Sequence, residues 1–219
     1  MENAIGAKGK GILKKFKNSA VNTVNFIIDG FLHINTTKAM FLSEHDNKVN
    51  YMYEPFPYIK MKRLFENFSF SESDGFMDIG CGKGRVLVGA ALSGCVNVYG
   101  IDISKELLEY AEKNLAECKK KKADLKYRLL CMDARDFTFM PDINKVFFYN
   151  PFSYRVFLKV KKALKQSIEE NPRDITIFLA GPEHVSRYLV GDKGFFFYRY
   201  RSKERVCIQT RLQLNKWVW

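Results

Sequence analysis

Three glycines occupy every second position in the segment FMDIGCGKGRV, residues 76–86, directly after a short apolar run. Glycine has no Cβ, so Gly80, Gly82 and Gly84 would let a ligand lie against the main chain. One carboxylate, Asp78, stands just before them. The segment predicts a ligand-binding turn between a strand and a helix. The alternative is an ordinary strand-to-helix connection.

The glycine spacing argues against two phosphate-binding motifs. The dinucleotide fingerprint places its third glycine three residues after the second, whereas these glycines are separated by one residue each. A P-loop requires Gly-Lys-Ser/Thr after a four-residue gap, which is absent here. A nicotinamide-dependent dehydrogenase shares the architecture and is kept as a remote alternative, because a fold does not settle function.

Two further carboxylates follow the next two predicted strands. Asp102 ends the segment VNVYGID, close to the spacing at which an acid reaches a pair of ribose hydroxyls, and Asp133 lies in LLCMDARDF. Since parallel strands end at one edge of a sheet, the three acids would line one rim. These residues together predict an adenosine pocket. The glycines would lie against the nucleoside, Asp102 would bind its sugar and Asp133 would lie near its base. Asp133 could alternatively cap a loop.

Alternating strand and helix patterns from residue 75 onward predict an α/β fold with a parallel sheet covered on both faces. The predicted strands are 76–79, 96–101, 125–131, 145–149 and 174–180. The predicted helices between them are 85–92, 105–118 and 154–167, the last capped by Ser153. Segments 195–200 and 205–214 predict a closing antiparallel hairpin.

The first third of the chain reads as helical. Apolar residues from Ile12 to Phe31 recur at helical spacing, with lysines on the other side. A turn-rich piece, 43–50, separates this region from a helix predicted over 57–68. We therefore expect an N-terminal helical extension, 1–50, and one larger domain, 51–219.

Composition limits the class of protein. The chain has 219 residues, of which 47% are hydrophobic, and a formal charge of +12. Its five cysteines are scattered and never closely paired, so neither a disulfide framework nor a zinc site is predicted, and the three histidines share no metal-ligand spacing. No stretch is apolar for long enough to cross a bilayer. We expect a basic cytoplasmic protein without a metal.

From residue 51 to the last residue, the chain resembles the class I S-adenosylmethionine-dependent methyltransferases. The resemblance rests on DIGCGKGR, YGID, CMDA and FFYNPF, each at the end of a successive predicted strand. It implies a Rossmann-like, mostly parallel, seven-stranded sheet with a C-terminal antiparallel hairpin, and S-adenosylmethionine as the cofactor. The resemblance places Asp78, Gly80, Gly82 and Gly84 near the methionine part, Asp102 at the ribose hydroxyls and Asp133 at the adenine amino group. The further cofactor-binding positions expected are Cys81, Ile103, Ala134 and Asn150.

The fourth of these motifs, FFYNPF, indicates which reaction to expect. Asn150, Pro151 and Phe152 resemble a shortened form of the Asn-Pro-Pro-aromatic sequence of amino-group methyltransferases, in which asparagine and a backbone carbonyl hold the target nitrogen. Acceptors that orient the protons of an amine aim its lone pair at the sulfonium methyl. One proline of that motif is missing here. The alternative is a purely structural role, as a turn that precedes the following helix.

The segment YEPFPY, residues 53–58, resembles a Tyr-x-Pro-x-Pro segment that precedes the first strand in some bacterial methyltransferases of unassigned substrate. In those proteins it would close over the cofactor, so Tyr53 and Tyr58 are expected to line the pocket.

The function expected from these residues is methyl transfer to an amine nitrogen of protein lysine or of a small molecule. The charge of +12 keeps open a nucleic-acid methyltransferase, and the missing proline keeps open a binding protein that retains the fold without the chemistry. The basic N-terminal helix is expected to be a lid or a packing element. Its alternative role is peripheral contact with a membrane surface.

Overall fold

The computed structural model describes residues 19–38, 40, 53–66, 69–149, 153–181, 195–202 and 205–212, and beyond residue 180 it describes the backbone alone. The strands are β1 Gly75–Ile79, β2 Asn97–Asp102, β3 Lys126–Cys131, β4 Ile143–Tyr149, β5 Ile175–Gly181, β6 Phe195–Ser202 and β7 Arg205–Leu212. The helices are α1, of which residues 19–32 are described, α2 Tyr58–Phe65, α3 Arg85–Leu92, α4 Lys105–Lys121 and α5 Tyr154–Glu170.

These strands form one sheet in the order β3-β2-β1-β4-β5-β7-β6. Strands β1 to β5 pair in parallel, and β7 pairs antiparallel with both β5 and β6. The α/β, Rossmann-like parallel sheet expected from the sequence is confirmed. The chain leaves β1 toward β2 on one side and returns to β4 on the other, so a crevice opens at the carboxyl end of β1. The glycine turn lies at that point.

Both faces of the sheet are covered because neighbouring strand residues point to opposite sides. Phe76 belongs to a core under α2, α3 and α4, whereas Met77 belongs to a second core under α5. All five residues of β1 are buried, as is typical of a central parallel strand. This double cover holds the end of β1 in place.

Helix boundaries differ from the sequence prediction by a few residues. Helix α4 continues through Lys121, where three consecutive lysines suit the negative end of the helix dipole. Helix α5 continues to Glu170, and its N-cap Ser153 makes no side-chain hydrogen bond to the helix, contrary to the expected cap. Helix α2 begins after Pro57, which has extended φ and ψ, and ends at Phe65.

Helix α1 buries only part of the apolar stripe that its sequence predicted, since Ile28 packs against the core. Two residues of that stripe, Ile27 and Phe31, are exposed, while the polar Asn25 and Asp29 are buried. The reason is hydrogen bonding: Asn25 Oδ1 accepts from the backbone amide of Tyr58 at 3.2 Å. The helix is therefore docked by polar residues together with Ile28 and Leu32, which pack against the core.

The segment that follows α1, residues 33–38, is here called the strap. Asp29 accepts hydrogen bonds from the amides of Thr36 and Thr37 at 2.7 and 2.6 Å and from the Tyr58 hydroxyl at 2.8 Å. Arg85, at the start of α3, donates from Nε to Thr36 Oγ1 at 2.7 Å and lies 3.8 Å from the Asp29 carboxylate. The strap is thereby fastened directly behind the glycine turn.

Candidate functional site

The glycine turn, residues 80–84, begins where β1 ends and leads into α3. All three of its glycines have positive φ, at 82°, 53° and 76°, a conformation that side chains with a Cβ rarely adopt. The amides of Gly80 and Cys81 both donate to the carbonyl of Ile101, at 2.9 and 3.0 Å. The turn is thus held against the end of β2.

The three glycines serve different contacts. Gly80 is exposed on the rim of the crevice. A Cβ on Gly82 would come within 2.4 Å of the Tyr53 ring, and a Cβ on Gly84 within 3.2 Å of Ala111 in α4. Gly84 therefore lets α3 and α4 approach each other, whereas Gly80 and the backbone around it are open to the crevice.

Asp102 lies against this turn. Its Oδ2 accepts a hydrogen bond from the Gly82 amide at 2.8 Å and its Oδ1 accepts one from the Ser104 amide at 2.9 Å. Burial raises the pKa of this carboxyl, while the amides that bond it oppose that rise. Because each carboxylate oxygen has room for a second donor, Asp102 is oriented and can still accept hydrogen bonds from a ligand.

Asp78 lies beneath the turn and is buried, with 3% of its surface exposed. Among the residues that the structure describes, none donates a hydrogen bond to its carboxylate or forms an ion pair with it. Burial raises its pKa well above the ordinary value, and the neighbouring Asp102 raises it further. Two acids with raised pKa values in one crevice suit a ligand that brings positive charge.

Tyr53 covers part of the turn, as its ring packs on Gly82 and its hydroxyl donates to the Thr36 carbonyl at 3.0 Å. Burial raises the pKa of this phenol, so it stays protonated. Tyr58 lies in the strap network instead, with Arg85 stacked 4.5 Å from its ring centroid. Its described contacts support the wall behind the turn, and its contact with a ligand stays a prediction.

Cys81 is buried in the core below the turn, so its thiol faces β2 and only its backbone belongs to the crevice. Burial raises the pKa of this thiol well above its ordinary value. Ile103, next to Asp102, is 67% exposed. An exposed isoleucine beside an oriented acid can cover one face of a flat ring.

Asp133 follows β3 beside Asp102, since the amide of Met132 donates to the Asp102 carbonyl at 3.0 Å. Its carboxylate caps the short 3-10 turn Ala134–Asp136 and accepts from the guanidinium of Arg135, at 2.6 Å from the terminal nitrogen. The hydrogen bonds from Arg135 lower the pKa of this carboxyl. Asp133 is therefore ionised and engaged with Arg135, and its contact with adenine stays a prediction. Ala134 is buried in the core under α5.

The proposed catalytic residues Asn150, Pro151 and Phe152 lie outside the described residues. The residue before them, Tyr149, ends β4 and donates from its hydroxyl to Glu54 Oε1 at 3.0 Å. Its ring centroid lies 5.0 Å from that of Phe56. The segment 53–57 is thus attached to the strand end from which Asn150 continues.

The sequence did not indicate the roles of two buried cations, Lys83 in the glycine turn and Arg85 at the start of α3. Lys83 Nζ donates to the Lys38 carbonyl at 2.7 Å and lies 4.5 Å from the ring centroid of Tyr110. Nothing in the local sequence separates such residues from solvent-facing helix starts. Gly100, in β2, could have been found from the sequence, because a glycine inside a strand often marks a close approach of other groups. In the structure a Cβ at Gly100 would meet three side chains within 2.8 Å.

Two expected absences can be examined over the described parts of the chain. No group of three or more His, Cys, Asp or Glu side chains there could hold a metal ion. No helix in those parts is both long and apolar enough to span a membrane.

Comparison with known proteins agrees with this geometry. Residues 76–169 match the family model of a methyltransferase domain. An uncharacterized protein from Methanocaldococcus jannaschii is 29% identical over 136 residues, which cover 59% of this chain and 52% of that protein. The match thus spans about half the length of that curated relative.

Solved structures share the fold at low identity. A SAM-dependent methyltransferase from Aquifex aeolicus aligns over 69% of this chain and 89% of its own, with TM-score 0.55 and 15% identity. An rRNA methylase from Streptococcus thermophilus aligns over 74% and 100%, with TM-score 0.53 and 14% identity. A protein from Streptococcus mutans in complex with SAH aligns over 73% and 99%, with TM-score 0.53 and 12% identity. These similarities show a Rossmann-like methyltransferase fold and support S-adenosylmethionine as the cofactor.

Proposed function

We propose that this chain binds S-adenosylmethionine between the glycine turn, Asp78 and Asp102, and transfers its methyl group to an amine nitrogen of protein lysine or of a small molecule. The observation that carries the proposal is the buried Asp78 carboxylate at the end of β1, which has no partner among the described residues. A buried carboxylate without a partner is costly, and a cationic ligand removes that cost.

The charges of the crevice fit this cofactor. S-adenosylmethionine supplies a methyl group on a positively charged sulfur, and its amino-acid end carries an ammonium. Asp78 would accept hydrogen bonds from the ammonium, and the field of Asp78 and Asp102 together favours both positive groups. The exposed backbone at Gly80 would lie against the amino-acid end, where a Cβ would obstruct it.

The sugar and base fit the neighbouring rim. Asp102 is oriented by the amides of Gly82 and Ser104, so its remaining lone pairs can accept hydrogen bonds from two ribose hydroxyls. Ile103 would cover one face of the adenine. Asp133 would accept from the adenine amino group through the lone pairs that Arg135 leaves available.

The acceptor side of the proposal rests on the sequence Asn150-Pro151-Phe152, which continues from β4. The side-chain oxygen of Asn150 and a backbone carbonyl would accept hydrogen bonds from the amine, which directs its lone pair toward the methyl group. Such alignment supplies roughly 7 to 11 kcal/mol in the best model reactions. The Tyr149–Glu54 hydrogen bond supports a closed wall on this side, because it ties segment 53–57 to β4.

A nucleic-acid acceptor is the second candidate, and one surface favours it. Arg155, Lys159 and Lys162 are exposed at helical spacing along α5, and Lys159 lies near enough to Asp133 to lower the pKa of that carboxyl. Such a basic stripe beside the crevice could follow a phosphate backbone, and the rRNA methylase with the same fold agrees with it. Methylation of RNA that weakens steeply with added salt would favour this candidate over the amine.

The test of cofactor binding is calorimetric titration of S-adenosylmethionine into the wild type, Asp102→Ala and the control Asp124→Ala. The Asp102 variant loses two hydrogen bonds to a charged group, at about 1.5 kcal/mol each, so its affinity should fall about 100-fold. Asp124 also carries a carboxylate but is more than half exposed, and its variant should bind like the wild type. Equal affinities for all three proteins would refute the proposed pocket.

The test of the reaction is transfer of labelled methyl groups to lysine-containing peptides, small amines and RNA. Asn150→Ala should abolish transfer to the preferred acceptor, whereas a distant exposed variant, Asn171→Ala, should not. Failure of the wild type to methylate any of these acceptors while it binds S-adenosylmethionine would favour a binding protein that retains only the fold.

A further inference from the structure

Helix α1 exposes large apolar side chains on the face that points away from the protein. Phe26, Ile27 and Phe31 are 57%, 66% and 79% exposed, and they are here called the α1 patch. Single exposed apolar residues are common, but three on one short stretch of helix form a contiguous surface that indicates an interaction site.

The orientation of the patch is enforced by the protein. Asn25 and Asp29 occupy the inner face of α1, where Asp29 accepts four hydrogen bonds and lies near the Arg85 guanidinium. Turning the helix to bury Phe31 would remove Asp29 from these donors and leave buried charges unpaired. The helix therefore keeps its aromatic face outward.

A lysine lies at the edge of the α1 patch. Lys121, in the last turn of α4, donates from Nζ to the Phe31 carbonyl at 3.1 Å and lies 5.3 Å from the Phe31 ring centroid. Lys119 and Lys120 are exposed in the same turn of α4, where Lys119 lies 6.0 Å from the Tyr127 ring centroid and Lys120 pairs with Glu117. In the sequence, residues 8–17 contain five more lysines and no acid. Apolar side chains at the centre are thus combined with positive charge at the edge.

We propose that the α1 patch and its lysines dock the protein onto an anionic membrane surface, with α1 lying in the plane of the interface. Phenylalanine and isoleucine side chains enter the boundary between headgroups and acyl chains, and lysines beside them attract anionic lipid headgroups. This proposal does not depend on the proposed enzymatic function.

The charge distribution favours a lipid surface over other occupants. A second copy of the chain meeting the same face would bring two lysine clusters together, and like charges oppose that contact. A nucleic acid would match the lysines but would offer only base faces to three side chains, one of which, Ile27, is aliphatic. An anionic bilayer matches both the apolar centre and the basic edge.

The experiment is sedimentation of the full chain with vesicles of phosphatidylcholine alone and of phosphatidylcholine mixed with phosphatidylserine. We expect binding to the mixed vesicles that weakens with added salt. The double variant Phe26→Ser/Phe31→Ser should bind about 100-fold more weakly, at about tenfold for each phenylalanine withdrawn from the interface. The matched control Leu92→Ser/Leu158→Ser removes exposed apolar residues of α3 and α5 and should bind like the wild type.

The lysine contribution is measured separately with Lys119→Gln/Lys121→Gln. Each charge removed near an anionic surface should weaken binding about fivefold, so this variant should lose about 25-fold. Circular dichroism and thermal melts verify that every variant is folded.

The proposal is overturned if the wild type does not sediment with anionic vesicles, or if the phenylalanine variant binds them as well as the control does. A dimer in solution that Phe26→Ser/Phe31→Ser dissociates would assign the patch to a second copy. RNA binding that this variant abolishes, without vesicle binding by the wild type, would assign it to nucleic acid.

Discussion

Replacing Asp78 by asparagine should stabilise the ligand-free protein and at the same time abolish cofactor binding. The carboxyl is buried, none of the described residues pairs with it, and its pKa is raised well above the ordinary value by burial and by Asp102. Folding therefore requires either a buried charge or the uptake of a proton. Asparagine has nearly the same size and carries no charge, so the variant avoids both.

The size of the effect follows from proton linkage. At pH 7 the penalty has an upper bound of about 4 kcal/mol, the free energy of protonating a carboxyl whose ordinary pKa is 3.8. Relaxation around the group reduces it, and we expect Asp78→Asn to gain about 2 kcal/mol. For a chain of this length that gain corresponds to a Tm higher by about 4 to 8 °C.

The pH dependence has a definite sign. A raised pKa means that the folded state holds the proton more tightly than the unfolded state, so wild-type stability should fall as pH rises above the ordinary pKa of 3.8. The asparagine variant lacks this decline. Thermal melts of the two ligand-free proteins should coincide near about pH 4 and separate toward neutral pH.

A matched control lies four residues earlier. Asp74 also has little exposed surface but bonds Lys145 at 2.6 Å, the Ser71 amide at 2.7 Å and Asn144 at 2.8 Å. Burial works to raise its pKa, but these partners outweigh burial and lower it. Asp74→Asn should therefore lose about 3 kcal/mol at neutral pH, and the wild-type contribution should fade as pH falls below about 4. Equal destabilisation by both substitutions would refute the assignment of Asp78 as an unpaired ligand-binding acid.

Three further outcomes are expected. Gly100→Ala should lower the free energy of unfolding, measured in urea, by about 1 to 3 kcal/mol, because its Cβ would overlap three side chains. Gly30→Ala, whose Cβ would have nothing within 4 Å, should raise that free energy by about 0.5 to 1 kcal/mol. Arg85→Met leaves Asp29 buried without its cation, so it should lower the free energy of unfolding by about 3 kcal/mol and speed hydrogen exchange in the strap. Unchanged exchange in the strap would contradict the anchoring role of Arg85. S-adenosylmethionine affinity should increase with pH below the raised pKa of Asp78, since the ligand displaces the proton of that carboxyl. Calorimetry in buffers of different ionisation enthalpy measures the proton release, and finding none would contradict this prediction.

Several features of the fold and the crevice were predictable from local sequence. Alternation of strand and helix patterns predicted a parallel sheet, and the sheet brings the ends of β1, β2 and β3 to one edge. The closely spaced glycines predicted the bend at the end of β1, and all three have positive φ. The contact of Asp102 with the Gly82 amide follows from the same rule, because adjacent parallel strands end side by side.

Other features were decided by contacts between residues far apart in the chain. The apolar stripe of α1 predicted its buried face, but Asn25 and Asp29 find partners in α2, the strap and α3. Ile27 and Phe31 of the stripe therefore face outward, while Ile28 stays packed against the core. Arg85 is buried for the same reason. Asn25 lies 33 residues before Tyr58, and Arg85 lies 49 residues after Thr36, so no short window of sequence contains both members of these pairs.

The sequence by itself determined where the main chain bends and where acids stand at strand ends, because backbone conformation and strand alternation depend on neighbouring residues. Only the tertiary structure decided which charges are compensated. Asp74 and Asp78 are both buried aspartates of the β1 region, yet one is paired with Lys145 and the other has no partner among the described residues. That difference arises from packing between distant segments, since the electrostatic energy of a carboxylate depends on everything that surrounds it.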